Sequence, residues 1–159
     1  MNRRFGIVTL AATAGLALLA FVPAWAADNP IYDESADAHQ QIAAAIAEAG
    51  RSGKNVVLDF GANWCGDCHA LDAHMHSPDL APTIEKNFVV VHVDVGRFTK
   101  NLDLAKKYNV PLKKGIPALA ILDSHGNLLF SQSQGEFEDA RHLGHDAFTQ
   151  FFDKWKPKG

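Results

Sequence analysis

Cysteine is nearly absent from this chain: there are two among 159 residues, and they stand three positions apart, at 65 and 68. A framework of several stapling disulfides is thereby excluded. No Lys/Arg cluster is present, and 15 basic against 18 acidic side chains leave a formal charge of −3. That balance argues against nucleic acid and anionic membrane as partners. Internal repeats and low-complexity segments are also missing. One long uncharged run exists, Phe5 to Val22, and no cysteine lies in it or just after it, so a lipoprotein anchor has no acceptor.

That run follows Arg3 and Arg4 and leads into Pro23 and Ala24-Trp25-Ala26. Charged, apolar and small-residue regions in this order are those of a secretory signal, residues 1–26, cut after Ala26. The competing reading is a retained membrane anchor, because 18 residues are just long enough to span. Thr9, Thr13, Gly6 and Gly15 dilute the run and favour cleavage. A bare Arg pair is weak evidence for twin-arginine export. Removing 26 of 159 residues leaves 133, enough for one domain with a core, and moves the formal charge from −3 to −5. A short polar lead, 27–34, then precedes a single domain, 35–159.

Ser35 is the expected N-cap of a helix that places Ile42, Ala45, Ile46 and Ala49 on one face and ends at Gly50 and Gly53. Asn55 to Phe60 is apolar without alternation, as in a strand covered on both faces. A helix is expected from the cysteines to about His76, broken by Ser77-Pro78, with a further turn or two carrying Leu80, Ile84 and Phe88. Val89 to Val95, rich in β-branched residues, predicts a second central strand. Asn101 to Tyr108 predicts a helix with Leu102, Leu104 and Ala105 inward. Ala118 to Leu122 and Leu128 to Ser131 predict a hairpin around Ser124-His125-Gly126-Asn127. Gln134 to Gly144 is polar and irregular. A last helix carries Ala147, Phe148, Phe151, Phe152 and Trp155. The pattern is α/β, with parallel and antiparallel strands in one central mixed sheet and helices against it.

Cys65-Gly66-Asp67-Cys68 follows the first strand, where a helix begins. Free N–H groups and a partial positive charge at a helix N-terminus favour ionisation of the first sulfur, and the second is close enough to close the ring. The pair therefore points to dithiol–disulfide exchange, with Cys65 attacking and Cys68 resolving. A purely structural staple is the alternative, but so short a loop contributes only about 2 kcal/mol in the chain-entropy estimate. Asp59, an acid inside an apolar run, is either a strand-end carboxylate that reaches water or a buried acid that exchanges a proton with Cys68. Trp64 is a cap over the sulfurs or ordinary core. Gly66 and Asp67 are the positions expected to tune the potential, since a negative charge at Asp67 opposes the Cys65 thiolate.

Val57 to Cys68, with its Asp59 and Trp64-Cys65-Gly66-Asp67-Cys68, together with Gly115-Ile116-Pro117-Ala118, resembles the thioredoxin superfamily. The match runs from about Ser35 to Lys156. It implies the thioredoxin fold, a central mixed β-sheet flanked by helices on both faces. It also implies a cis bond before Pro117 beside the cysteines, with the Ile116 and Pro117 backbone docking the substrate chain. Ala62-Asn63-Trp64-Cys65 and His76-Ser77-Pro78-Asp79-Leu80 are most similar to periplasmic thioredoxin-like domains such as the C-terminal domain of DsbD, which implies reductase activity in the periplasm. The Lys that thioredoxins usually place near the buried acid is replaced by Val90, so no relay through a Lys is expected. Residues 134–143 are longer than in a minimal thioredoxin.

Two rivals use the same residues. Cys65-x-x-Cys68-His69 matches the attachment signature of c-type haem, with Met75 as a possible second axial ligand. Haem attachment would consume both thiols and leave Trp64, Asp59 and Ile116-Pro117 unexplained. His69, His74 and His76 evoke a metal site, but His74 points roughly 140° away from His69 on a helix. The expected protein is a periplasmic disulfide reductase, with an oxidase or isomerase of the same fold, or a binding or chaperone module, as alternatives. No cofactor and no metal are expected. Its expected partners are disulfides of exported proteins and a membrane thiol electron donor of DsbD type. It is expected to be a monomer without stable membrane association after cleavage.

Overall fold

The computed structural model describes residues 30–158. The signal segment, 1–26, lies outside them. Helix α1 spans Ala38–Ser52. Its N-cap is Asp37 rather than Ser35: the Asp37 carboxylate accepts the Gln40 N–H at 3.1 Å, while the Ser35 hydroxyl donates to Asp33 instead. A carboxylate both fills an orphan N–H and meets the positive end of the helix. Gly50 stays inside α1, and Gly53, at φ 70°, ends it with its N–H on the Ala49 carbonyl.

Strand β1, Asn55–Gly61, is buried along its whole length. It pairs in parallel with β2, Phe88–Asp94, and antiparallel with β3, Ala118–Leu122, which turns back into β4, Leu128–Ser131. The strand order is β2-β1-β3-β4. Among the described residues β2 is therefore an edge strand, not the second central one. Its apolar run comes from cover on its faces by α1 and by α3, Ala81–Asn87, rather than from a neighbour on each side.

Two apolar layers sandwich the sheet. On one face Val56, Leu58, Phe60, Ala120 and Leu122 pack with Ile42, Ala45 and Ala49 of α1 and with Leu104 and Ala105 of α4, Leu102–Lys107. On the other, Val57, Leu119 and Ile121 pack with Leu71 and Met75 of α2, Gly66–Met75, and with Phe148 and Phe152 of α5, His145–Trp155. Cover on both faces is why β1 and β3 lack alternation.

Two inward assignments change, and one polar stretch turns out to be anchored. Leu102 is 48% exposed, at the first position of α4. Ala147 is exposed on α5, outside the stripe of Phe148 and Phe152. The polar stretch 134–144 is anchored, because Phe137 and Ala140 are buried in the second layer, with Phe137 stacked on Phe148. Tyr32, just ahead of α1, is fully buried as well. No helix of the described residues is long and apolar enough to cross a membrane.

Candidate active site

β1 delivers the chain to the end of the sheet, and Ala62 to Trp64 turn it into α2. Cys65 is the N-cap of that helix: its Sγ accepts the Cys68 backbone N–H at 3.1 Å. A sulfur thus takes the place usually held by a Ser or Asp oxygen, where orphan N–H groups and the helix dipole favour negative charge. Cys65 and Cys68 are joined as a disulfide, with their Cα atoms 5.3 Å apart. Cys65 keeps 5% of its surface and Cys68 none.

The Ile116–Pro117 bond is cis, and the Ile116 carbonyl oxygen lies 3.5 Å from Cys65 Sγ. Residues 65 and 116, far apart in sequence, therefore form one surface. Trp64 borders it and is not core: it is 47% exposed, donates its indole N–H to the Gly96 carbonyl at 2.8 Å, meets Phe98 edge-on and lies under the Arg97 guanidinium. Beyond Phe98 an apolar groove continues along Leu102, Val110 and Leu112, rimmed by Lys106, Lys113 and Lys114.

Asp59 is fully buried in β1, which removes the reading that it reaches water. Its Oδ2 accepts the Tyr32 hydroxyl at 2.7 Å and His92 Nδ1 at 2.9 Å, while Oδ1 has no partner. His92 stands opposite Asp59 in the β1–β2 register, and Val90, the position compared with the thioredoxin Lys, is two residues earlier on the same strand. Burial pushes the His92 imidazole down, but the hydrogen bond and charge of Asp59, with Asp72 beyond, outweigh it and hold the ring protonated above its usual range. Burial, then the Asp59 charge, pushes the Tyr32 hydroxyl well above the ordinary tyrosine value. Gly61 marks how closely these parts approach. A Cβ there would overlap the Tyr32 hydroxyl and lie 2.8 Å from Cys68 Sγ. Sequence reasoning missed Tyr32 and His92. Each meets Asp59 only through the fold, His92 by the register of β1 on β2 and Tyr32 from the segment ahead of α1.

Asp67 is not a free charge. The Arg141 backbone N–H and Nε donate to its Oδ1 at 3.0 and 3.1 Å, and Nη2 donates to Oδ2 at 3.1 Å. This hydrogen bonding from Arg141 lowers the Asp67 carboxyl below its usual range. The negative charge expected beside Cys65 is present as one half of an ion pair. Gly66 lies under the Arg141 side chain.

The three histidines on and just after α2 go separate ways. The exposed His69 places Nε2 2.7 Å from the Asn63 carbonyl, His74 stacks on Phe148 and faces His145, and His76 meets Asp72. Met75 is buried in the second layer. Among the described residues no group of three or more His, Cys, Asp or Glu is arranged to hold a metal.

Comparisons with known proteins agree with this geometry. A thiol:disulfide interchange protein DsbD of Yersinia pestis (strain Pestoides F) is 32% identical over 101 residues, 63% of this chain but only 16% of that protein. The chain thus spans about a sixth of the curated relative's length. A solved structure described as a disulphide isomerase from Xylella fastidiosa Temecula1 is 41% identical, with a TM-score of 0.77, covering 80% of this chain and 98% of that one. The oxidised C-terminal domain of Neisseria meningitidis DsbD shares the fold, with a TM-score of 0.51 at 24% identity over 76% of this chain and 97% of that one. Residues 37–124 match the thioredoxin-like family. The chain belongs to the thioredoxin-like family, with the Cys65–Cys68 disulfide as its redox centre.

Proposed function

We propose that this protein is a periplasmic disulfide reductase for exported proteins. The observation that carries the proposal is the Cys65 sulfur, seated as a helix N-cap, slightly exposed and facing the Ile116 carbonyl. In the dithiol state the Cys65 thiolate attacks one sulfur of a substrate disulfide. A mixed disulfide forms and one substrate sulfur leaves as thiolate. Cys68 then gives up its proton to Asp59 and attacks Cys65 Sγ, the protein disulfide re-forms and the second substrate sulfur departs. The substrate gains two electrons and the protein loses two. Ile116 and Pro117 dock the substrate backbone as an added strand, and Trp64 caps the sulfurs. A membrane thiol donor of the DsbD kind restores the dithiol, and the protein acts as a monomer.

The similarity to a protein described as a disulphide isomerase supports a second reading, isomerisation by the same two cysteines. The equilibrium potential against glutathione separates them. A value near about −270 mV supports reductase, one near about −180 mV isomerase and one near about −120 mV oxidase. In an insulin reduction assay Cys65→Ser abolishes turnover, and Cys68→Ser traps covalent partners. Trapping by the Cys65 variant alone would reverse the two roles.

A further inference from the structure

We propose that His92 is the group through which the buried Asp59–Cys68 site exchanges its proton with solvent. The proposal rests on the assignment of Cys68 as the resolving cysteine and adds a positioning residue to it.

The interior of the site has one acid with a vacant oxygen. Asp59 Oδ1 is buried with no partner, while Oδ2 is already taken by Tyr32 and His92. Cys68 Sγ and the Tyr32 hydroxyl that Asp59 holds both crowd Gly61, and Oδ1 is the oxygen left to take a proton from Cys68. Without compensation, that proton would leave a buried cluster with a net charge, which is costly in a low-dielectric interior. His92 removes the cost. Its Nδ1 holds Asp59, and its Nε2 edge points outward to Asp72 Oδ1 at 3.9 Å, with the side chain 23% exposed. The ring is thus fixed on one side and reaches the surface on the other.

The proton count closes. Before resolution the pair is carboxylate and imidazolium. As Cys68 attacks Cys65, its proton goes to Asp59, and His92 releases its Nε2 proton to solvent. The pair passes through carboxylic acid and neutral imidazole at unchanged total charge and, holding the same number of protons, settles back to the carboxylate and imidazolium of the disulfide structure. When the thiol donor reduces the disulfide, Cys68 recovers its proton from Asp59 and His92 takes one up. Asp59 on β1, Asp72 on α2 and Tyr32 ahead of α1 meet His92 directly, and Glu48 on α1, Asp33 ahead of it, Glu85 on α3 and His76 at the end of α2 share cavities with it. Of these, Asp59 and Asp72 favour the imidazolium that the exchange begins from.

The test separates the two chemical steps in the full chain. His92→Asn keeps a side-chain N–H for Asp59 but cannot titrate. In stopped-flow measurements it resolves a preformed mixed disulfide roughly tenfold or more slowly, with one ionisation lost from the pH profile, while the first attack of Cys65 on a small disulfide keeps its rate. An unchanged profile and rate overturn the proposal. Loss of the first attack as well would point instead to a disrupted site. In the unmutated protein, the His92 ring titrated by NMR has different midpoints in the disulfide and dithiol states; one midpoint for both would also overturn it. If Cys65 formed no mixed disulfide at all, the exchange reading itself would fail, independently of His92.

Discussion

Arg141 holds Asp67 at both carboxylate oxygens, with its own backbone N–H as a third donor. Segment 134–144 is thereby clamped to the turn between the two cysteines. Arg141→Gln leaves the Asp67 charge without its partner, so the Cys65 thiolate becomes less favourable and the dithiol a stronger reductant. Because the Arg141 side chain is largely exposed, screening keeps the shift on the order of 10 mV toward more negative potential. Equilibration with glutathione at low and high salt measures it. A shift to more positive potential would contradict the clamp's electrostatic role.

Gly61→Ala tests the tight packing of the site. Its new methyl meets the Tyr32 hydroxyl and Cys68 Sγ at once, and overpacking of this kind costs about 1–3 kcal/mol. Urea unfolding of the oxidised protein is expected to show the loss. Unchanged stability would mean that Tyr32 moves aside without cost.

His92 makes stability depend on pH. Its folded value is raised, because Asp59 and Asp72 outweigh burial. A raised group contributes fully below its unfolded value, 6.5, and its contribution disappears as pH rises through the folded value. The melting-temperature gap between the natural protein and His92→Asn is therefore widest below about pH 6.5 and narrows above it. Thermal melts from about pH 5 to 9 check the sign, and a gap that widens with pH contradicts it.

Asp59→Asn removes the acceptor for the Cys68 proton. The resolving step is expected to slow by about 100-fold, with mixed disulfides accumulating and the first attack preserved. Equal turnover for mutant and natural protein between about pH 6 and 9 would remove Asp59 from the mechanism.

Much of this was legible in the chain, and the gaps have physical causes. Continuous apolar runs located β1 and β3, because cover on both faces leaves its mark in composition. The sulfur pair and Asp59 followed from short local motifs, and the cis bond before Pro117 from the family resemblance. Edge position did not: β2 is as apolar as a central strand, since α1 and α3 cover its faces whatever stands beside it. Asp37 displaced Ser35 as cap because two good candidates stood two residues apart and only the chain's path chose between them. Arg141, Tyr32 and His92 were hidden for a common reason. Each acts on a residue between 27 and 74 positions away, and no local pattern encodes such a meeting.

Helix α2 belongs to both halves of the interior: Cys68 sits in the layer beneath α1, whereas Leu71 and Met75, one turn and two turns on, sit in the layer beneath α5. The helix that carries the sulfurs is riveted to two slabs at once. Neither slab can loosen without tugging on the same short helix, so electron exchange and cooperative melting are expected to fail together, at a single denaturant concentration.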